Sequence, residues 1–432
     1  MSTLIISALL LAATFNCRAD TSVLECTRLI DVAAAEVRNN QAVLIEDKRI
    51  RAVGSRKDID KALNGRSADL ELTLDTCLPG LMDMHVHLRH QNSANHYIKR
   101  FVQSEADYTL KAAHFARITL DAGFTTVRDL GDTVFETVAL RNAITAGHAT
   151  GPRIYAAGKS IATTGGHADP TNGYRRTLMG DPGPSEGVIN GPDEAREAVR
   201  YRYKNGADVI KITATGGVLS LAKSGQNPQF TLEEMQALIE TATDYGMGVA
   251  AHAHGAEGMR RAVVAGIRSI EHGTYMTPEV MELMKKHGTF YVPTMLAGKF
   301  IGEKAQQEGY FPEVVRPKAA AIGPVITETF AKAYKAGVKI AFGTDSGVSA
   351  HGDNAQEFEL MVNGGMSPME AIRSATIIAA ELLFEQDNLG QIKPGMLADI
   401  VAVNGNPLED ISVLENISFV MKDGVIYKGG QD

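Results

Sequence analysis

The sequence has no block of basic residues, no tryptophan and only three cysteines in 432 residues. The missing basic block argues against nucleic acid as a partner. There is no P-loop, and no order of serine, histidine and aspartate indicates a catalytic triad. Internal repeats and low-complexity tails are also absent. With 44% hydrophobic and 22% charged residues and a net charge of −8, the composition is that of an ordinary globular protein.

The apolar stretch at residues 2–15 is too short to cross a membrane in a relaxed helix. It resembles the core of a secretory signal peptide with a small-residue cleavage site at residues 17–19, although no Lys or Arg precedes it. We therefore expect residues 1–19 to be a signal peptide and the protein to be periplasmic or secreted. The alternative is a hydrophobic first element of the fold in a cytoplasmic protein. Without the leader, Cys26 and Cys77 remain, and their presence alone does not show whether they pair.

The rest of the chain divides into short strand-like runs at both ends and a repeating strand-loop-helix pattern between them. Eight strand candidates belong to the repeating part: Leu81–Leu88, Thr125–Leu130, Arg153–Gly158, Asp208–Ala214, Gly248–His254, Ser269–Gly273, Thr289–Met295 and Lys339–Asp345. This pattern predicts an α/β fold, a closed parallel (β/α)8 barrel of the TIM type over residues 79–385. Residues 20–78 and 386–432 are predicted to form one small split β-sandwich domain.

His85 and His87 end the first predicted barrel strand and are separated by one residue. Side chains two positions apart in a strand project from the same face, so the two imidazoles would lie side by side. Two converging neutral imidazoles form half of a metal site. Alone the pattern is weak, because two polar residues on the solvated face of a strand look the same.

Residue types that bind metals recur on the other predicted strands, at the ends where a barrel of this kind places its active site. They are Lys211, His252, His254, His272 and Asp345. Each has an ordinary explanation by itself, as a solvated lysine, a hydrogen-bonded core histidine or an aspartate in a turn. If these explanations held for each residue separately, all five residues would have reached the same end of the barrel by chance. The set as a whole therefore predicts a metal site.

Longer motifs carry a resemblance to a known family. The run that starts at Leu78 (LPGLMDMHVH) and the run from Gly390 to Asp399 (GQIKPGMLAD) resemble those of the amidohydrolase superfamily of metal-dependent hydrolases. Three further stretches, Thr164–His167, Ala251–Gly255 and Arg268–Gly273, are similar to its Xaa-Pro dipeptidase and carboxypeptidase branch. This branch is often called imidazolonepropionase-like, and ochratoxin-hydrolysing amidohydrolases are similar to it. The resemblance covers nearly the whole chain.

The resemblance implies two divalent metal ions. His85, His87 and Asp345 would hold one ion, His252 and His272 the other, and Lys211, carboxylated by carbon dioxide, would bridge both. A carbamate is an anion with two oxygens, whereas a free lysine is a cation that repels metal ions. His252 and His254 share a face of the strand over 248–254, so either could be the ligand from this strand; the resemblance favours His252. Zinc suits these ligands, and manganese or cobalt would also be accepted.

Other residues are predicted to face the substrate. His254 would lie further out than the metals, His351 follows the last strand, and His167, in the long loop over 162–192, would polarise the scissile carbonyl. We expect the remaining histidines to be structural: His90, His96, His114, His148 and His287. Candidates for anchoring a substrate carboxylate are Tyr174, Arg175, Arg176 and Tyr291.

The implied activity is cleavage of the amide bond to a C-terminal amino acid by a hydroxide that bridges two metals. Dipeptides, N-acyl amino acids and ochratoxin-type amides are the expected substrates. Asp345 would take the water proton and pass it to the leaving amine. The alternatives are a cyclic amide or imidazolone ring hydrolase, whose site is mononuclear without a carboxylated lysine, and a non-catalytic binding barrel. We expect a homo-oligomer, an octamer by resemblance, with no membrane or nucleic-acid partner.

Overall fold

The computed structural model describes residues 20–94, 96–220 and 224–430, without the side chains of residues 96, 97 and 100. The signal peptide predicted over residues 1–19 and the side chain of His96 therefore lie outside the described part. The strands are β1 (Thr21–Asp31), β2 (Glu36–Glu46), β3 (Arg49–Gly54), β4 (Leu70–Pro79), β5 (Leu81–Val86), β6 (Phe124–Asp129), β7 (Arg153–Ala156), β8 (Ala162–Thr163), β9 (Val188–Ile189), β10 (Ile210–Thr213), β11 (Val249–Ala253), β12 (Ser269–His272), β13 (Phe290–Val292), β14 (Ile400–Val403), β15 (Ile417–Lys422) and β16 (Val425–Lys428).

Helices alternate with the central strands. They are α1 (Arg56–Leu63), α2 (His96–Val102), α3 (Glu105–Asp121), α4 (Glu136–Thr145), α5 (Arg176–Met179), α6 (Pro192–Lys204), α7 (Leu232–Asp244), α8 (Ala256–Ala265), α9 (Pro278–His287), α10 (Met295–Lys304), α11 (Arg316–Lys335), α12 (Gln356–Asn363), α13 (Pro368–Ser374) and α14 (Ile377–Leu382), with a short 3-10 helix at Ile411–Glu415. Local sequence sets several of their ends: Ser104 and Thr231 cap α3 and α7 through capping boxes, and Gly288 ends α9 in the left-handed conformation. None of the described helices is both long and apolar enough for a membrane crossing.

Strands from both chain ends form one seven-stranded sheet in the order β16-β15-β14-β4-β1-β2-β3. The two halves join where β14 pairs antiparallel with β4. Neighbouring residues of β1 and β2 enter different apolar clusters: Leu24 and Val43 belong to one, Val23 and Leu44 to another. Successive side chains of a strand point to opposite faces, so both faces of this sheet are packed. The small β domain expected from both chain ends is confirmed.

The central strands form the parallel barrel. β5-β6-β7 and β10-β11-β12-β13 are parallel sheets, and a parallel bridge between Ile161 and Ile212 links the two sets. The predicted eighth strand over 339–345 is not regular: it pairs at Ile340 with Tyr291, and Ser346 just beyond it pairs with Val86. At the end of the segment Asp345 has a positive φ of 58°, which departs from extended backbone. The segment still pairs with both β13 and β5, the neighbours expected of the eighth strand, and the (β/α)8 class is confirmed.

A disulfide joins Cys26 of β1 to Cys77 of β4, with the two Cα atoms 5.8 Å apart. Both cysteines are buried in an apolar cluster of the small sheet. β1 and β4 are parallel neighbours, so the bond links two strands that already share a hydrogen-bond ladder. It closes a loop whose ends are 51 residues apart, which restricts the unfolded chain.

Breaking this disulfide should destabilise the protein. The Cys26→Ser, Cys77→Ser double variant should lose about 2–4 kcal/mol of unfolding free energy, as is typical when a loop-closing disulfide is removed. Urea unfolding of the wild type and the double variant measures the difference. Alkylation under denaturing conditions without reductant provides the control: if Cys26 and Cys77 are modified before reduction, the two residues are not paired.

Candidate metal centre and substrate cavity

The metal-ligand candidates surround one cavity at the carboxyl ends of the barrel strands. His85 lies in β5, His87 just beyond it, Lys211 in β10, His252 in β11 and His272 at the end of β12. All of them line an inner chamber of about 210 Å³, together with Asp345. The structure thus brings together the side chains that the sequence analysis names as metal-ligand candidates.

His85, His87 and Asp345 form the tightest group, with one donor atom of each within 4.8 Å of the others. Nδ1 of His87 lies 3.1 Å from the carbonyl oxygen of Gly131, which can only accept, so Nδ1 carries the proton and Nε2 a lone pair. Nδ1 of His85 lies 2.9 Å from a carboxylate oxygen of Glu271, which fixes the same tautomer. Both imidazoles therefore direct unprotonated Nε2 atoms toward the same place.

That place is Oδ1 of Asp345, 3.5 Å from Nε2 of His85 and 3.4 Å from Nε2 of His87. This oxygen is buried and accepts no hydrogen bond within the described part of the chain. Electron-pair donors that face one another in a buried space are stabilised by a positive charge between them. The residues present thus fit a divalent cation.

A buried ion pair supports this group from behind. One oxygen of Glu271 faces His85, and the other accepts a hydrogen bond of 2.8 Å from the guanidinium of Arg128. Both side chains are almost fully buried, and Arg128 also donates to the carbonyl oxygen of Met84 at 2.6 Å. A buried carboxylate fixes the orientation and tautomer of a metal-binding histidine and increases its basicity. Neither Glu271 nor Arg128 was among the residues predicted from the sequence.

His252 and His272 lie next to each other, with ring centroids 4.7 Å apart. Nε2 of His252 lies 3.3 Å from the carbonyl oxygen of Gly216, which leaves Nδ1 as its electron-pair donor. Nδ1 of His272 lies 2.8 Å from the hydroxyl of Thr294, which can donate or accept, so Nε2 is the ring nitrogen that remains to face a metal ion. Two such donors are fewer than a metal ion needs, so a second site requires a further ligand.

Lys211 lies between the two histidine pairs in sequence order and is the candidate that the resemblance names for that ligand. Its side chain is buried, and Nζ lies 3.3 Å from Nε2 of His85. Burial lowers the pKa of Lys211, which favours the neutral amine, and burial raises the pKa of Asp345. The ordinary explanation is that an ammonium group donates to His85 and balances the charge of Asp345. Carboxylation would instead convert the same side chain into an anionic bridge.

Burial favours the neutral form of six of the cavity histidines. Burial is the largest cause in every case, and it lowers the pKa to about 3 for His87 and His254 and to about 4 for His167. The pKa values of His85, His252 and His272 fall well below the usual range for the same reason. The neutral imidazole is the form that binds metals and that can also donate one N–H to a substrate.

His167 reaches the cavity from the long loop after β8. Its ring stacks on His252 with centroids 4.3 Å apart. A glycine makes this possible, because a Cβ on Gly217 would lie 2.1 Å from the His167 ring. Lys318 of α11 donates to the carbonyl oxygens of Gly217 and Ser220, which holds this backbone against His167. The predicted position of His167 near the substrate agrees with this packing.

Two assignments from the sequence need correction. His351 lines neither the inner nor the outer chamber; it stacks on Phe115 at 4.5 Å and its Nε2 lies 3.0 Å from the carbonyl oxygen of His90. It therefore supports the chamber wall instead of facing a substrate. His90, which we expected to be structural, lines both chambers. Three residues after His87, the chain has turned back toward the cavity, and no strand periodicity indicates this.

The carboxylate-anchor candidates also lie away from the metal group. Tyr291 is buried and donates through its hydroxyl to the carbonyl oxygen of His272. Arg175 and Arg176 are exposed, and Arg176 pairs with Asp181. Tyr174 lines an outer chamber of about 1170 Å³ that opens onto the inner one through shared lining residues. Of the four, Tyr174 alone lines a chamber, and it is the outer one.

Comparison with known proteins agrees with this geometry. A model of the amidohydrolase family matches residues 76–428. The structure of a Xaa-Pro dipeptidase with methionine bound in its active site is 50% identical, with a TM-score of 0.90 over 95% of this chain and 100% of that one. Ochratoxinase from Aspergillus niger is 34% identical over 91% of this chain and 84% of its own length. Imidazolonepropionase from Aeromonas hydrophila is 28% identical, over only 42% of this chain and 40% of its own length.

Glu271→Gln should weaken metal binding. The amide keeps the size of the side chain but removes the negative charge between Arg128 and His85, and loss of such a partner typically weakens metal affinity about 10–100-fold. Competition with a chromogenic chelator measures the affinity for zinc.

Glu234→Gln is the matched control. Glu234 is also a buried carboxylate, but it accepts backbone N–H groups of Gly191 and Thr231 at the start of α7 and lines neither chamber. This variant should bind zinc like the wild type. Equal affinity in the Glu271 variant and the control would show that Glu271 does not support the metal ligands.

Proposed function

The chain belongs to the amidohydrolase family, and we propose that this hydrolase cleaves the amide bond between an acyl group and a C-terminal amino acid. Its substrate class would be dipeptides, N-acyl amino acids and ochratoxin-type amides. The convergence of His85, His87 and Asp345 on one buried point, where Oδ1 of Asp345 accepts no hydrogen bond from the described residues, is the observation that carries the proposal. The similarity to a Xaa-Pro dipeptidase and to an ochratoxinase supports the choice of bond.

Two divalent ions, with zinc the best match to the ligands, are proposed as cofactors. His85, His87 and Asp345 would hold one ion, and His252 and His272 the other, with Lys211 as a bridging carbamate. When bound, such ions polarise a carbonyl oxygen and lower the pKa of a water molecule toward neutrality. The buried position of Lys211 supports this role, because a lowered amine pKa favours reaction with carbon dioxide.

The chain's own groups complete the chemistry. The carboxylate of Asp345 accepts a proton from the attacking water and donates it to the nitrogen of the leaving amino acid. His167 and His254 are neutral and line the inner chamber, so each can donate an N–H to a substrate oxygen. Nδ1 of His254 lies 2.8 Å from the hydroxyl of Thr274, which fixes its ring. His254 can therefore orient the substrate while His167 stabilises the oxyanion.

Two proposals concern the whole molecule. The Cys26–Cys77 disulfide supports an oxidising compartment, periplasmic or extracellular, in line with the leader expected over residues 1–19. Exposed apolar side chains support a homo-oligomer: Ile98 and Val102 of α2 are 62% and 72% exposed, and Leu110 of α3 is 73% exposed. Exposed apolar groups of this kind mark surfaces where chains associate.

The purified protein should release free amino acids from N-acyl amino acids, dipeptides or ochratoxin A, as detected by mass spectrometry. Chelation should abolish the activity, and added zinc should restore it, because the proposed ions are what lowers the pKa of the attacking water. Metal analysis of the active enzyme should give about two ions per chain. Full activity after metal removal would contradict the proposal, and about one ion per chain would contradict the binuclear site.

Lys211→Arg should lose most of the activity and at least one metal ion. A guanidinium stays cationic and cannot be carboxylated, whereas an ordinary structural lysine would tolerate arginine better. Turnover and bound metal are measured on the same preparation. Lys422→Arg is the matched control: Lys422 is also 4% exposed, but it donates to the carbonyl oxygen of Gly151, outside both chambers. Near-normal turnover and metal content in the Lys211 variant would refute the bridge.

A further inference from the structure

One part of the wall of the inner chamber is apolar and comes from two helices. Ala297, Gly298 and Ile301 of α10 and Ile322 and Ile326 of α11 line it. The four with side chains are at most 6% exposed, so this wall is closed from the outside. α10 comes directly after β13 and α11 precedes the last predicted strand, and neither helix carries a metal-ligand candidate.

The two helices approach each other at glycines. A Cβ on Gly298 would lie 2.9 Å from Cγ2 of Ile326, and a Cβ on Gly323 would lie 3.3 Å from the carbonyl oxygen of Gly298. Any side chain at Gly298 therefore pushes against Ile326, which itself lines the chamber. The absent side chain of Gly298 sets how much space this part of the chamber contains.

The wall is fixed relative to the metal ligands. Thr294, the residue before α10, pairs through its hydroxyl with Nδ1 of His272 at 2.8 Å. The buried carboxylate of Glu357 accepts the backbone N–H groups of Met295 and Leu296 at 2.9 and 2.7 Å. α10 thus begins at a contact to a metal-ligand candidate and is held there by a buried cap, so a substrate group against Gly298 has a defined position relative to the reacting bond.

The two chambers differ in size. The inner one, about 210 Å³, is smaller than the roughly 300–1,000 Å³ of a pocket that encloses a whole drug-sized ligand, so it takes only part of a substrate. The outer one, about 1170 Å³, has room for a bulky group and is partly lined by the aromatic rings of Phe101 and Tyr174, which meet edge to face. A compact apolar group fits the inner chamber, and a large or aromatic group fits the outer one.

We propose that the inner chamber binds the side chain of the C-terminal amino acid, and that Gly298 determines the size of the side chain that is accepted. The inference rests on the proposed amide hydrolysis and assigns each half of the substrate to a chamber. Unbranched and branched apolar amino acids are then the preferred leaving groups. The acyl group lies in the outer chamber, where its size matters little.

Two substrate series test the assignment: N-acetyl derivatives of alanine, leucine, methionine and phenylalanine, and leucine with acyl groups of increasing size. Gly298→Ala should lower the ratio of kcat/KM for leucine over alanine about 10-fold or more, because one methyl group in a closed apolar pocket discriminates by this amount. The ratios within the acyl series should stay unchanged.

Gly302→Ala is the matched control on the same helix. Gly302 lines neither chamber, and its Cβ would meet only the carbonyl oxygen of Ala319 at 3.8 Å, an ordinary contact. This variant should keep the wild-type leucine-to-alanine ratio. The same glycine-to-alanine change is thereby compared at a crowded and at an open position of α10.

Ile326→Ala provides a second, opposite variant. It enlarges the chamber and should shift the preference toward phenylalanine, and combining it with Gly298→Ala should restore the leucine-to-alanine ratio. Unchanged ratios in Gly298→Ala and Ile326→Ala, or changes confined to the acyl series, would overturn the inference. A wild type that hydrolyses no member of either series would instead refute the proposed function, so the two failures are distinguishable.

Discussion

The buried pair of Arg128 and Glu271 is the interaction on which the candidate metal centre depends. Burying two charges is costly unless each is fully hydrogen-bonded, and here both are: Arg128 contacts Glu271, Ser269 and Met84. The remaining carboxylate oxygen faces Nδ1 of His85, which commits Nε2 to the cavity. Without that carboxylate the imidazole of His85 is free to change its tautomer or to rotate. Its Nε2 would then no longer point to the same place as the donor atoms of His87 and Asp345. The buried ion pair of Arg128 and Glu271 thus determines where the lone pair on Nε2 of His85 points.

Backbone conformation orients the side chains of two further metal-ligand candidates, His272 and Asp345. His272 and Asp345 both have positive φ, 70° and 58°, which costs of order 1–3 kcal/mol at a residue other than glycine. At His272 the strand β12 ends and the chain turns, which brings Nδ1 to Thr294 and the other nitrogen to the chamber. At Asp345 the same conformation breaks the last strand and places Oδ1 between two histidines. Strain and irregular strand pairing coincide at the residues that the chemistry uses, as expected where function overrides local preference.

The part of the site that follows strand periodicity was predictable, and the part that depends on turns and distant helices was not. His85, Lys211 and His252 were found because alternation places them at one end of parallel strands. Glu271 was missed for the same reason: it precedes His272, so alternation assigns it to the opposite face, yet the turn at His272 lets both residues take part in the site. His351 was misplaced because proximity in sequence to the last strand says nothing of which way a loop side chain points.

The wall of α10 and α11 shows how binding and chemistry are connected in this fold. Sequence patterns identify helices but not the crossing at Gly298 and Gly323, since close helix contact depends on both partners at once. The hydroxyl of Thr294 joins the start of this wall to His272, so the metal group and the apolar pocket share one hydrogen bond. Displacing α10 to admit a larger group would pull on that bond and on the cap from Glu357. The size of substrate that the pocket accepts is therefore best altered by changing the volume of individual side chains, with the helix backbone left in place.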